Sequence, residues 1–138
     1  MQLYRGRLID HLQVNVRDLA AARRFYAAIL ETLGIPIVDM PPASAFYADE
    51  LWVTDQGTPA GRMHFAFQAP DRETVDRFHA AGLGAGGRDN GSPGERAYHP
   101  GYYAAFLLDP DGNNVEAVYH GPGERSAEAV EISFEMPT

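Results

Sequence analysis

The chain has 138 residues, of which 45% are hydrophobic and 22% charged, so it is long enough for one folded domain and too apolar to be wholly disordered. It has no cysteine, which excludes disulfides, thiolate metal sites and a cysteine nucleophile. Its formal net charge is −8, and its eleven basic residues are all arginine and do not cluster, which argues against nucleic acid as a partner and excludes a Schiff-base lysine.

The beginning of the chain predicts no targeting segment. Residues 1–7 lack the apolar stretch of a signal peptide, and no later apolar run approaches the ~18 residues of a membrane span. We therefore expect a cytoplasmic protein with no membrane partner.

The first half of the chain predicts one strand, one helix and three short strands. Residues 9–16 alternate in polarity, as a strand with one buried face does. The polar face of this strand carries His11, Gln13 and Asn15. Asp18 is a suitable N-cap for an alanine-rich helix that ends near Leu33, before Gly34. Short strands are expected over residues 35–39, 44–48 and 50–54, followed by a turn-rich linker.

The second half predicts the same order of elements. Residues 63–69 form a strand with His64 on its polar face, and Asp71 caps a helix that ends near Leu83. Residues 88–100 are polar and rich in glycine and proline, which predicts a loop. Strands over 102–108 and 113–119 form a hairpin around the turn Asp109-Pro110-Asp111-Gly112, and a late strand is expected over residues 130–134.

The two halves are related by a shift of 53 residues. Over residues 10–30 the ungapped alignment gives seven identities in 21 positions, including His11 with His64 and Asp18 with Asp71. Each half has about 55–65 residues, which is marginal for independent folding, so the two should share one core.

Three stretches resemble the vicinal oxygen chelate superfamily, which includes glyoxalase I, fosfomycin- and bleomycin-resistance proteins and extradiol dioxygenases. They are residues 10–19 with 24–26, residues 63–67 and, most specifically, FLLDPDGNNVE over residues 106–116. The resemblance covers about residues 8–120 and implies a single glyoxalase-like domain with an α+β fold over residues 1–138. Two βαβββ modules, about 8–57 and 62–120, would be related by a pseudo-twofold axis, with mixed sheets curled around a central cleft and a tail over 121–138.

His11 and His64 are the first candidate functional residues. A single histidine is most often a hydrogen-bonded packing residue, but these two occupy equivalent positions of the repeat, on the strand faces that do not meet the helices. Both should line a polar cavity and could approach each other across the pseudo-twofold axis.

Glu116 is the third candidate, because an ionised carboxylate inside an apolar strand is costly unless it is paired or bound to a metal. With a four-residue loop over 109–112, Leu108 faces Asn113, and Ala105 faces Glu116 and leaves room for a metal. The alternative is an edge-strand glutamate that points to solvent. Two imidazoles and one carboxylate suit one divalent ion (Zn, Fe, Mn, Co or Ni) with positions open for substrate.

The resemblance implies the same three ligands. In that superfamily the first-strand histidine, the fifth-strand histidine and the last-strand glutamate bind the metal, and they match His11, His64 and Glu116. A homodimer is also implied, with the cleft within one chain or between two.

Glu50 is a fourth, weaker candidate. If the longer loop of the second half raises the repeat offset to 66, Glu50 becomes the counterpart of Glu116. In glyoxalase I a glutamate on the last strand of the first module is the fourth ligand, so the resemblance implies a ligand or a general base. A one-residue shift of register would instead turn Glu50 to solvent.

The other candidates surround the expected cleft. Loop 88–100 precedes a cavity-lining hairpin, which suits a lid or a substrate-contacting rim, or equally a surface loop with aromatic anchors. The predicted substrate contacts are Gln13, Asn15, Trp52, Tyr98, His99 and Tyr103, the last pointing inward. Asn15 stands where glyoxalase I enzymes carry an arginine that contacts glutathione, which argues against a glutathione conjugate.

Together these features predict a metal-dependent lyase or isomerase of the glyoxalase type. Its substrate would be a small molecule that chelates the metal through adjacent oxygens, with Glu50 as the base. One alternative is a non-catalytic ligand-binding module of the bleomycin-resistance kind. Another is an Fe(II) dioxygenase that uses the same three ligands.

Overall fold

The computed structural model describes residues 2–5, 7–59, 61–122 and 129–133. This part of the chain contains two helices and ten strands. In chain order they are β1 (Gln2–Arg5), β2 (Leu12–Asn15), α1 (Leu19–Thr32), β3 (Val38–Asp39), β4 (Ala45–Ala48), β5 (Leu51–Thr54), β6 (His64–Gln68), α2 (Arg72–Gly84), β7 (Arg88–Glu95), β8 (Tyr103–Leu108), β9 (Asn114–Tyr119) and β10 (Val130–Ser133). Neither of these helices combines the length and the apolar character that crossing a membrane requires.

The strands form two four-stranded mixed sheets with the same topology. One sheet has the order β2-β5-β4-β3 and the other β6-β9-β8-β7. In each sheet the first strand of the module is parallel to the last and lies at an edge. The predicted α+β fold of two βαβββ modules is therefore confirmed.

The termini add a third sheet of two strands. β1 pairs antiparallel with β10, so the late strand predicted near residue 130 is present, and Phe134 lies outside the described residues. Nothing in the sequence predicted β1.

Both helices begin at the predicted aspartates. Asp18 accepts a hydrogen bond from the backbone N–H of Ala21, and Asp71 accepts one from that of Thr74, so each carboxylate satisfies a free N–H of the first turn. α1 ends before Gly34, whose φ of +73° gives the left-handed residue that commonly follows a helix.

The two modules share one hydrophobic core, as expected from their size. α1 and α2 approach so closely at Gly82 that a Cβ there would lie 3.1 Å from Ile29 and 2.2 Å from Leu107. Phe25 and Phe78, the repeat-equivalent aromatic residues of the two helices, are fully buried in the same cluster. The helix-facing sides of both sheets are thus closed, and only their opposite faces are open to a ligand.

The prediction of a loop over residues 88–100 is wrong for its first part. Residues 88–95 form β7, the outer strand of the second sheet, and its pairing with β8 is irregular between residues 89 and 94. An outer strand can carry proline, glycine and polar residues, because one of its edges is unpaired. Because such residues are also typical of loops, the sequence pattern did not predict the strand.

The predicted register of the β8–β9 hairpin is wrong by one residue. The loop has five residues, because the backbone N–H of Asp109 donates to the carbonyl of Asn113 and Gly112 adopts φ +89°. A type I turn followed by a left-handed residue adds this extra position. Leu108 consequently pairs with Asn114, and Phe106 rather than Ala105 pairs with Glu116.

Candidate metal and substrate site

His64 and Glu116 meet on the open face of the second sheet. β6 and β9 are parallel neighbours, which places Ala66 beside Glu116 and brings the His64 Nε2 atom to 2.9 Å from Glu116 Oε1. Glu116 is only 3% exposed, whereas the His64 side chain is 54% exposed. Two ligand atoms that bind one ion at about 2.1 Å and at right angles lie about 3 Å apart. The two atoms are joined by a hydrogen bond, and the same spacing would also allow both to bind one ion in octahedral coordination.

Tyr102 also contacts Glu116, and sequence reasoning missed it. Its hydroxyl donates a hydrogen bond to Glu116 Oε2. Burial and then the bonded carboxylate raise the pKa of Tyr102, so its phenol stays protonated as a donor. Had a five-residue loop been assumed between β8 and β9, the sequence would have identified this residue. Alternate residues of a strand share a face, so Tyr102 then lies with Ala104 and Phe106 on the face that carries Glu116.

Phe106 forms one wall of the site. Its ring centroid lies 6.1 Å from that of His64, and the guanidinium carbon of Arg96 lies 5.3 Å from the same ring centre. Arg96 donates to the carbonyls of Glu95 and Ser92, which fixes a cation on the wall.

Asn114 lies on the same face, in register with His64. Its Oδ1 atom is buried and has no hydrogen-bond partner among the described residues. A buried acceptor without a donor destabilises the folded state, so such atoms are uncommon in proteins.

His11 lies apart from this pair. It precedes β2, its Nδ1 atom is 2.8 Å from Asp10 Oδ1, and its side chain is 65% exposed. Among residues 2–5, 7–59, 61–122 and 129–133, no three histidine, aspartate or glutamate side chains come together as a metal site. Within one chain, two of the three predicted ligands, His64 and Glu116, are thus in contact, and His11 is not part of this group.

Trp52, and not Glu50, is the counterpart of Glu116. Leu12 pairs with Leu51, and its repeat partner Phe65 pairs with Val115, so the last strands are offset by 64 residues rather than 66. The prediction failed because the extra residues of the second half are divided between the β7 region and the longer β8–β9 turn.

Glu50 instead corresponds to Asn114 and immediately precedes β5, next to His11. The backbone N–H of Leu12 donates to its carbonyl at 2.7 Å. With Ala66 and Phe67, Glu50 also lines a mainly apolar cavity of about 230 Å³ between the modules.

The chain matches the model of the Glyoxalase/Bleomycin resistance protein/Dioxygenase superfamily over residues 8–117. It belongs to this superfamily. A glyoxalase/bleomycin resistance protein from Albidiferax ferrireducens T118 is 36% identical, with 79% of this chain and 95% of that chain covered and a TM-score of 0.67.

Two more distant structures share the superfamily fold. Lactoylglutathione lyase from Agrobacterium tumefaciens is 22% identical, with 82% and 93% of the two chains covered and a TM-score of 0.59. TioX from Micromonospora sp. ML1 is 15% identical, with 79% and 95% covered and a TM-score of 0.61. No curated protein matches the chain.

In this superfamily member the open face of the first sheet carries three predicted substrate contacts. Gln13 donates to Asn15, and Asn15 donates to the carbonyl of Thr58 in the following loop. Trp52 pairs with Gln13 across the strands, and its ring stacks on Tyr47 with centroids 6.3 Å apart. These side chains lie on the module opposite to the His64–Glu116 pair.

Tyr98 and His99 border the site through Tyr102. The Tyr98 ring, which is 73% exposed, lies 4.9 Å from that of Tyr102. His99 donates from Nδ1 to the carbonyl of Pro100, and its Nε2 lies 2.9 Å from His120 Nδ1. Both predicted contacts thus lie at the rim of the second module.

Tyr103 points to the opposite side of the sheet. Its hydroxyl donates to Asp76 of α2, and the guanidinium of Arg72 lies 4.7 Å from its ring centre. The hydrogen bond to Asp76 and then burial raise the pKa of Tyr103. Its predicted inward orientation is wrong, because the register error exchanged the two faces of β8.

Proposed function

We propose that this protein is a metal-dependent enzyme of the glyoxalase type, a lyase or isomerase that acts on a small molecule with adjacent oxygens. The observation that carries the proposal is the 2.9 Å separation of His64 Nε2 and Glu116 Oε1 on an open sheet face. Their chemistry suits a first-row divalent ion. When bound, such an ion supplies Lewis acidity to the substrate oxygens.

The third ligand would be His11 of a second copy of the chain. Its exposed side chain and its absence from the His64–Glu116 pair support this assignment. His11 precedes β2 and His64 begins β6. Both strands lie at the edges of their sheets, so another chain can reach both histidines. A twofold homodimer would then contain two identical sites, each built from two chains.

Glu50 would come into the same site with His11, because the two residues are neighbours at the start of their strands. A carboxylate in this position can take a proton from a substrate carbon and return it to another. Gln13 and Trp52 would contact the substrate from one module, and Tyr98 and His99 from the rim of the other.

Two inactive variants test where the site is assembled. His11→Ala and His64→Ala should each lose tightly bound metal and bind none when purified separately. If they are unfolded and refolded together, mixed dimers should regain one metal site per dimer, because one of the two sites then contains both native histidines. Mixtures that bind no more metal than the separate variants would reject the shared site.

Refolded wild-type protein controls for losses in that procedure. Elution volume in size-exclusion chromatography measures the dimer independently. A wild-type monomer that binds stoichiometric metal would remove the second copy from the proposal and leave the metal enzyme.

A non-catalytic ligand-binding module is the second candidate function. The stacked rings of Tyr47 and Trp52 favour it, because they offer an aromatic surface on the open face of the first sheet. This function predicts no tightly bound metal in wild-type protein and ligand binding that is lost in Trp52→Ala. Oxygen uptake by Fe(II)-loaded protein would instead indicate the dioxygenase alternative.

A further inference from the structure

The carboxylate of Glu116 has a different partner on each oxygen. Oε1 faces His64 Nε2 at 2.9 Å, and Oε2 accepts a hydrogen bond from the hydroxyl of Tyr102. A carboxylate only accepts, so the phenol must be the donor. The bond to His64 lies on the exposed side of the pair, whereas Tyr102 holds the oxygen on the other side.

The local backbone is built to hold the Tyr102 ring in place. Gly101 has φ +85°, and a Cβ at this position would lie 3.3 Å from the Cα of Gly121, so the two segments cross where neither has a side chain. The crossing brings the rings of His99 and His120 edge-on to Tyr102, with centroids 5.3 and 5.4 Å away.

Backbone bonds fix the same residue from both sides. The N–H of Tyr102 donates to the carbonyl of His99, and its own carbonyl accepts from the N–H of Arg96. The ring and the backbone of Tyr102 are thus both restrained, with the hydroxyl placed at Glu116 Oε2.

We propose that Tyr102 is a positioning residue, which occupies Glu116 Oε2 so that only Oε1 is presented to the metal beside His64. The inference rests on the proposed metal site. A free carboxylate can bind a metal through one oxygen or through both, and outer partners of metal ligands typically change affinity by about 10–100-fold. An ion would replace the contact between His64 and Oε1, while the contact to Tyr102 would persist.

Titration of metal-free protein with Co²⁺ tests this role, with visible absorption as the readout. Tyr102→Phe removes only the hydroxyl and should weaken Co²⁺ binding by about 10–100-fold. Its absorption bands should also change intensity, because a carboxylate bound through both oxygens raises the coordination number. Tyr103→Phe is the matched control: it loses the same group from the neighbouring residue, whose hydroxyl donates to Asp76 on the opposite side of the sheet, and its affinity should stay within about twofold of wild type.

Glu116→Asp withdraws the carboxylate by one methylene from both His64 and Tyr102, so it should weaken binding at least as much as Tyr102→Phe. The double variant should be no weaker than Glu116→Asp, because the hydroxyl of Tyr102 then has no carboxylate to hold. Should Tyr102→Phe fail to fold, His120→Ala takes its place, since it removes a ring that packs against Tyr102 and no proposed ligand, and an affinity equal to wild type would then overturn the role of Tyr102. Equal affinity and equal spectra in wild type and Tyr102→Phe would overturn it as well. Absence of Co²⁺ binding in wild type would remove the metal site itself and this inference with it.

Discussion

The two modules have the same scaffold and different chemistry. In each, a histidine lies at the start of an edge strand that runs parallel to the last strand. In the second module the last strand places Glu116 beside that histidine, whereas in the first module the equivalent position is Trp52, whose ring stacks on Tyr47. The repeat thus keeps the backbone and the core, while a carboxylate beside the histidine occurs in only one of the two modules.

The turns between the third and fourth strands of each module show a second difference. β4 and β5 are joined by Asp49 and Glu50 alone, whereas the β8–β9 loop has five residues and a buried aspartate, Asp109. The carboxylate of Asp109 accepts hydrogen bonds from its own loop and from the hydroxyl of Tyr26 in α1. The module that carries Glu116 therefore also holds the turn that anchors it to the other module.

The largest effect we expect comes from breaking this anchor. Asp109→Ala leaves four donors without an acceptor, namely the Tyr26 hydroxyl, the N–H of Asp111 and the backbone and side-chain N–H groups of Asn113. The free energy of unfolding should fall by about 4 kcal/mol, because three of the four bonds are buried and all four are made to a carboxylate. Urea unfolding at fixed protein concentration measures it.

Tyr26→Phe is the companion variant, since it removes one of the four bonds and should cost about 1–2 kcal/mol. Burial and then the Asp109 carboxylate raise the pKa of Tyr26, so its hydroxyl remains a donor over the working range of pH. If the two variants lost the same free energy of unfolding, the stabilisation by Asp109 would come from its bond to Tyr26 between the modules and not from its bonds within the turn.

The general fold was predictable because it depends on local signals. Asp18 and Asp71 mark two helix starts, and the identities between residues 10–30 and 63–83 reveal the repeat. β7 escaped detection because an outer strand with glycine and proline lacks the alternation that identifies a half-buried strand. Among the described strands, β1 pairs with β10 alone, and a partner so distant in the sequence leaves no local pattern.

The site was only partly predictable because loop length sets strand register. Glu116 and His64 stand out as polar residues in strands, and no exact alignment is needed to find them. The orientation of Tyr102 and Tyr103 depends on whether the turn has four or five residues, because a shift of one residue reverses the face on which each side chain lies. Glu50 was instead misassigned by two residues, because the extra residues of the second half could not be placed from the sequence. Whether His11 comes close to His64 and Glu116 depends on how the modules, or two chains, are arranged relative to each other. The spacing of residues within a strand carries no information about that arrangement.

An intermediate effect should separate the two neighbouring asparagines of the second module. Asn113 accepts from the N–H of Met63 and donates to Asp109, whereas Asn114 Oδ1 is buried without a partner among the described residues. Asn114→Leu should therefore raise the free energy of unfolding by about 1 kcal/mol, and Asn113→Leu should lower it by about 2 kcal/mol. Thermal unfolding of both variants checks the signs. A loss of stability in Asn114→Leu would show that its oxygen has a donor in solution, such as a water molecule.

The smallest effect concerns the helix caps, which are repeat counterparts. Hydrogen bonds from the hydroxyl and then the N–H of Thr74 hold the pKa of Asp71 below its ordinary value. A carboxyl whose pKa is lower in the folded state stabilises that state above its unfolded pKa of about 3.9. This stabilisation is lost as the pH falls through the folded pKa. Asp71→Asn keeps an acceptor at the cap but removes the charge, so wild type should be the more stable protein near neutral pH.

The difference in unfolding free energy between wild type and Asp71→Asn should then shrink as the solution is acidified from about pH 7 to about pH 3. Glu73→Gln removes a charge from the same helical turn without touching the cap, and so controls for the change in net charge. Asp18→Asn makes the same substitution at the cap of the first module, where Ala21 has no hydroxyl to add to the N–H bond. If the difference in unfolding free energy between wild type and Asp71→Asn did not change with pH, the cap would stabilise the helix through its hydrogen-bond geometry rather than its charge. The caps at Asp18 and Asp71 would then act in the same way.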